Sequence, residues 1–90
     1  LYTKVKAGRS LKLDARRSYD LDGNDLTYEW IYYKEPGTYK GTLDILQSES
    51  VQTIIIPDDA KGKTIHIVLK VTDNGKPSLT SYRRIVLECR

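Results

Sequence analysis

Leu26, Tyr28, Trp30 and Tyr32 stand two residues apart, with Thr27, Glu29 and Ile31 between them. In an extended chain such residues share one face, so the alternation predicts a strand with its aromatic side turned inward. Trp30, the only tryptophan, sits in the middle of that face and is the expected centre of the core. Ile65, Ile67, Leu69 and Val71 repeat the period in a longer strand over Thr64–Asp73. A third run, Leu79 to Cys89, turns Ile85 and Leu87 one way and Tyr82, Arg84, Val86 and Glu88 the other. Shorter alternations predict an edge strand over Leu1–Val5 and strands over Arg9–Asp14 and Gln52–Ile56, the last stopped by Pro57. Thr38 to Gln47, with Leu43, Ile45 and Leu46, reads as a short crossing strand with a bend, and Asp58 to Lys63 as a single helical turn or a loop.

Turn-forming residues separate these runs: Asp22-Gly23-Asn24-Asp25, Glu35-Pro36-Gly37, Ser48-Glu49-Ser50 and Asp73-Asn74-Gly75-Lys76-Pro77. About seven short strands with turns every eight to twelve positions, and no amphipathic helix to cover a single sheet, predict two packed antiparallel sheets. Residues 1–90 form one domain in this reading, with no linker or internal repeat. The abrupt, strand-like start without an initiator methionine predicts an excised piece of a longer or processed protein.

Composition narrows the function. Phenylalanine and methionine are absent, so Ile, Val, Leu, seven tyrosines and the tryptophan supply the core. The net charge of +3 is spread among acids, and only Arg16-Arg17 and Arg83-Arg84 are paired, which argues against a nucleic-acid partner. No run reaches the ~18 apolar residues of a membrane helix. The single cysteine, Cys89, has no internal partner and reads as a thiol filling space at the end of the last strand. The single histidine, His66, alternates with Ile65 and Ile67 and is therefore expected on the outer face in water. One His and one Cys make neither a zinc set nor a nucleophile–base pair, so the chain reads as non-catalytic.

The acidic loop admits two readings. Asp20, Asp22 and Asp73 are oxygen donors of the kind calcium takes, although D-x-D-G-N-D is not the EF-hand spacing. Alternatively, these carboxylates accept backbone amides in Asx turns, with Arg16 and Arg17 balancing their charge. No cofactor other than calcium is suggested.

Two stretches carry a resemblance. AGRSLKLDARRSYDLDGNDLTYEW resembles the opening of the polycystic-kidney-disease (PKD) repeat, and IHIVLKVTDNGKPSLTSYRRIVL the close of the same immunoglobulin-like superfamily. A PKD repeat continues after its tryptophan with a DFGDG-like segment, where this chain has IYYKEPGTYKG. That segment, with GTYKG and IHIVLKVTDNG, is similar to the C-terminal domain of a bacterial family described as cellulose-binding, which follows an N-terminal domain similar to nucleoside hydrolases. The resemblance implies an immunoglobulin-like (PKD-like) all-β sandwich and a polysaccharide partner. It also implies a secreted or periplasmic location as the accessory module of a carbohydrate-related hydrolase.

Sugar binding works through aromatic faces stacked on sugar rings, with polar neighbours taking the hydroxyls. The candidates are Tyr32, Tyr33 and Tyr39, the last two flanking the Pro36-Gly37 turn, with Lys34, Glu35 and Lys40 beside them. Trp30 is excluded by its phase. The rival reading is a structural module that docks on the preceding hydrolase-like domain. It would use the outward face of the three long strands, where alternation places Ile31, Tyr33, Val68, Tyr82 and Val86.

Overall fold

The computed structural model describes residues 2–18, 26–75 and 77–90. The described residues form six strands: β1 (Tyr2–Val5), β2 (Ser10–Asp14), β3 (Leu26–Tyr32), β4 (Val51–Ile55), β5 (Thr64–Asp73) and β6 (Thr80–Cys89). They make a four-stranded sheet in the order β1-β6-β5-β3 and a two-stranded sheet of β2 and β4. Short 3-10 turns follow β2 at Ala15–Ser18 and β4 at Asp58–Ala60. Among the described residues no helix is long and apolar enough to cross a membrane.

The period-two pattern sets which side of each strand is dry. Ile65, Ile67, Leu69 and Val71 of β5 are all buried. Across the ladders Trp30 lies opposite Leu69, and Ile65 opposite Leu87. Leu13 and Ile54 close the core from the second sheet, so the fold is an all-β sandwich with one shared core. Trp30 is 1% exposed and at its centre. Burying each large aliphatic side chain stabilises the fold by about 1.5–3 kcal/mol relative to leaving it in water.

Two expectations about the strands are corrected. β1 runs parallel, not antiparallel, to β6. The chain then crosses at once to the second sheet, and Gly8 makes the corner with φ +80, where a Cβ would run into the Asp58 carboxylate. Residues 38–47 form no strand. Several of that segment's backbone groups are satisfied by side chains instead of a ladder. The Gln52 amide bonds both the N–H and the C=O of Leu46 at 2.8 Å, and the Tyr32 hydroxyl donates to the Gly41 carbonyl at 2.8 Å. One backbone bond, from Trp30 N–H to the Gln47 carbonyl at 2.8 Å, ties the end of the segment to the outer edge of β3.

Candidate functional site

The turn after β3 is braced from within. Lys40 Nζ donates to the Lys34 and Glu35 carbonyls at 2.9 and 3.0 Å, and the Lys34 ammonium lies 5.7 Å from the centre of the Tyr32 ring. Tyr39 is not a loop platform: it is 5% exposed and belongs to the core. Its hydroxyl donates to Asp59 Oδ1 at 2.9 Å, and burial, with Asp59 second, pushes its phenol above the ordinary range. Space for the ring exists because Gly41 has no Cβ, which would collide with the Tyr39 hydroxyl. Of the two flanking tyrosines only Tyr33 offers a face, 36% exposed, with the Arg84 guanidinium 5.3 Å from its ring centre.

Tyr33 belongs to the outward side of the four-stranded sheet. Its N–H donates to the His66 carbonyl at 2.9 Å, His66 pairs with Val86, and Val86 with Tyr2. Tyr33, His66, Val86 and Tyr2 thus cross the sheet in one row. The next outward row is Ile31, Val68 and Arg84, and the one beyond is Glu29, Lys70 and Tyr82. The structure therefore brings Ile31, Tyr33, Val68, Tyr82 and Val86 onto one face. Val86, however, is 4% exposed and adds little surface, whereas Tyr82 is 65% exposed. Tyr2, 73% exposed, joins the face only because β1 pairs with β6, a long-range pairing with no local signal in the sequence.

His66 departs from expectation. It is half-buried rather than solvated, and Nδ1 is shut from water without a hydrogen-bond partner. Gly37 packs against it, since a Cβ there would meet His66 Cδ2 at 3.4 Å. Burial, and then the charge of Arg84, holds its pKa below the ordinary histidine value.

At the outer edge of β3 a cleft of about 270 Å³ opens onto the same face, lined by Thr27, Glu29, Gln47, Ser48, Lys70 and Thr72. Trp30 fixes its wall through its own N–H and through indole Nε1, which donates to the Glu49 carbonyl at 2.6 Å.

The acidic residues divide. Asp20 and Asp22 lie outside the described residues. Asp73 Oδ1 accepts the N–H groups of Gly75 and Leu79 at 3.0 and 2.9 Å, as an Asx turn requires. Asp14 is bonded by the Arg16 N–H at 3.0 Å and by its guanidinium at 3.2 Å; the guanidinium bond chiefly holds the Asp14 carboxyl below its usual range. Cys89 is buried at the end of β6.

The model of the family described as cellulose-binding protein Sde0182, C-terminal domain, matches residues 10–89. A solved structure of a nucleoside hydrolase-related hypothetical protein from Saccharophagus degradans, associated with carbohydrate metabolism, superposes with a TM-score of 0.89 at 40% identity. The alignment covers 100% of this chain and 22% of that one, so this chain spans about a fifth of its length. No curated protein matches the chain.

Proposed function

We propose that this chain, which belongs to the family of the C-terminal domain of cellulose-binding protein Sde0182, is a non-catalytic module that binds a glucan chain. The binding surface is the outward face of the β1-β6-β5-β3 sheet. One observation carries the reading: Tyr2, Tyr33 and Tyr82 expose their rings on that single face. Strand spacing puts Tyr2 and Tyr33 about 14 Å apart across the sheet, and Tyr82 about 13 Å further along β6 from their row. Such a span exceeds one sugar ring and suits an oligosaccharide lying flat. Between the rings stand Arg84, Lys70 and Glu29, which take hydroxyls. Each exposed ring adds apolar area for a sugar face to cover, so affinity grows by addition along the polymer. A module of this kind works outside the cytoplasm, where polysaccharide lies, and holds a hydrolase-related partner domain near it.

The test is retention of the chain on insoluble cellulose and affinity for cellohexaose in solution. Tyr33→Ala and Tyr82→Ala should each weaken binding about fivefold or more, near 1 kcal/mol, with melting temperatures nearly unchanged. An unmodified chain that binds neither material refutes the reading. The second reading, docking on a hydrolase-related domain, is favoured by the half-buried apolar strip of Ile31 and Val68 in the middle of the face. Charged residues at both positions would then separate the melting transitions of the two domains in a longer chain, while Tyr82→Ala would leave them together.

A further inference from the structure

The edge cleft contains a facing pair of opposite charges. Glu29 and Lys70 are directly opposite each other in the β3–β5 ladder, and both are half-buried. Neither side chain makes a hydrogen bond or an ion pair with any described residue. The one side-chain polar atom shut from water without a partner among the described residues is His66 Nδ1, so the Glu29 carboxylate and the Lys70 ammonium still reach water, and each keeps hydrogen-bonding capacity that a ligand in the cleft can take up in its place. Gln47 and Ser48 stand on the opposite wall, held in place by the two hydrogen bonds from Trp30. In the same row, on β6, Lys70 is paired with the exposed ring of Tyr82.

These groups restrict what fits. A phosphate or carboxylate ligand would satisfy the Lys70 ammonium and meet repulsion from Glu29. A cation would do the reverse. A neutral ligand with adjacent hydroxyls satisfies both, because each hydroxyl donates to a carboxylate and accepts from an ammonium. The cleft, about 270 Å³, is below the roughly 300–1,000 Å³ of sites for drug-sized ligands, so it takes one small ring rather than a chain.

We infer that this cleft is the subsite that reads the hydroxyls of one neutral hexose unit of the bound glucan. Glu29 and Lys70 bridge two adjacent hydroxyls, Gln47 contacts them from the opposite wall, and the Tyr82 ring stacks on the neighbouring unit. This deepens the glucan-binding reading and rests on it. The outer face then has two parts with separate tasks: the tyrosines grip the polymer, and the cleft fixes its lateral position and its register.

Cellohexaose titrated into the isotopically labelled chain should shift the backbone amide signals of Glu29, Gln47 and Lys70. Glu29→Gln and Lys70→Met should each lower cellohexaose affinity about fivefold or more, and together no less than either alone, with the melting temperature held. Tyr33→Ala, at the other corner of the face, should leave the cleft shifts in place at saturation. If the unmodified chain binds no glucan, both this inference and the reading beneath it fall. If it binds, Tyr82→Ala weakens it, and the Glu29→Gln/Lys70→Met double variant stays within twofold of the parent, the cleft inference alone falls. Tighter binding of an oligosaccharide bearing glucuronate or glucosamine than of cellohexaose overturns the assignment to a neutral unit.

Discussion

Trp30 joins the stability of the fold to the shape of the cleft, and its substitution separates the two. Truncation to alanine empties the centre of the core, which for a buried tryptophan costs about 3–5 kcal/mol. It also leaves the Glu49 carbonyl without its indole donor, adding about 1 kcal/mol. A chain of 90 residues at roughly 0.05–0.15 kcal/mol per residue holds about 5–13 kcal/mol in all. Trp30→Ala therefore removes between a third and all of the stability. Trp30→Phe keeps the six-membered ring and loses the donor and part of the volume, at about 2 kcal/mol. That corresponds to a fall in melting temperature of about 8–16 °C for a domain of this size. The single tryptophan makes the parent easy to follow: its emission should be blue-shifted when native and move red on unfolding. Urea melts by circular dichroism follow the variants. Because the indole pins Glu49, Trp30→Phe should also weaken cellohexaose binding at temperatures where the variant is still folded. A native emission maximum already at the water-exposed position refutes the argument, as does an unfolding free energy for Trp30→Ala within about 1 kcal/mol of the parent.

Tyr39→Ala should lower the melting temperature by well over ten degrees, since its ring is core and not platform, and Gly41→Ala should do likewise by displacing that ring. Thermal melts of the two variants check this, and two unchanged curves would return Tyr39 to the surface. His66, its pKa lowered by burial and Arg84, binds a proton more readily when unfolded. Its contribution to stability is thus complete above the ordinary histidine value of about 6.5 and falls as the pH drops below it. Denaturant midpoints between about pH 5 and 7 should slope in the parent and flatten in His66→Gln, while carboxylates such as Asp14 titrate lower.

Much of the architecture can be read from alternation alone, because a half-buried strand writes its dry face into every second residue. Trp30, Leu69 and Leu87 fall inward for that reason, and Tyr82 falls outward. Tyr39 lies where no period operates, and its burial depends on a missing Cβ two residues on and an acceptor twenty residues away at Asp59. His66 and Val86 have the outward phase and are nevertheless covered, since alternation gives direction and not what packs alongside. The cleft depends on register. Glu29 and Lys70 each show an outward phase, yet only the β3–β5 ladder sets them face to face, and the Trp30 backbone N–H at Gln47, with its indole at Glu49, holds Gln47 and Ser48 on the other side.

The parallel pairing of β1 with β6 has a mechanical consequence. Its four residue pairs are continued by Arg90, whose N–H reaches the Val5 carbonyl and whose own carbonyl accepts from Ala7, both at 2.8 Å. Tension applied between residue 2 and residue 90 draws these two strands past each other along their length. The ladder bonds then bear the load side by side and must fail together, instead of opening one after another like a peeled hairpin. Single-molecule pulling should find a higher rupture force through residues 2 and 90 than through residues 45 and 90. Equal forces in the two directions would show that the terminal strands carry no special share of the load.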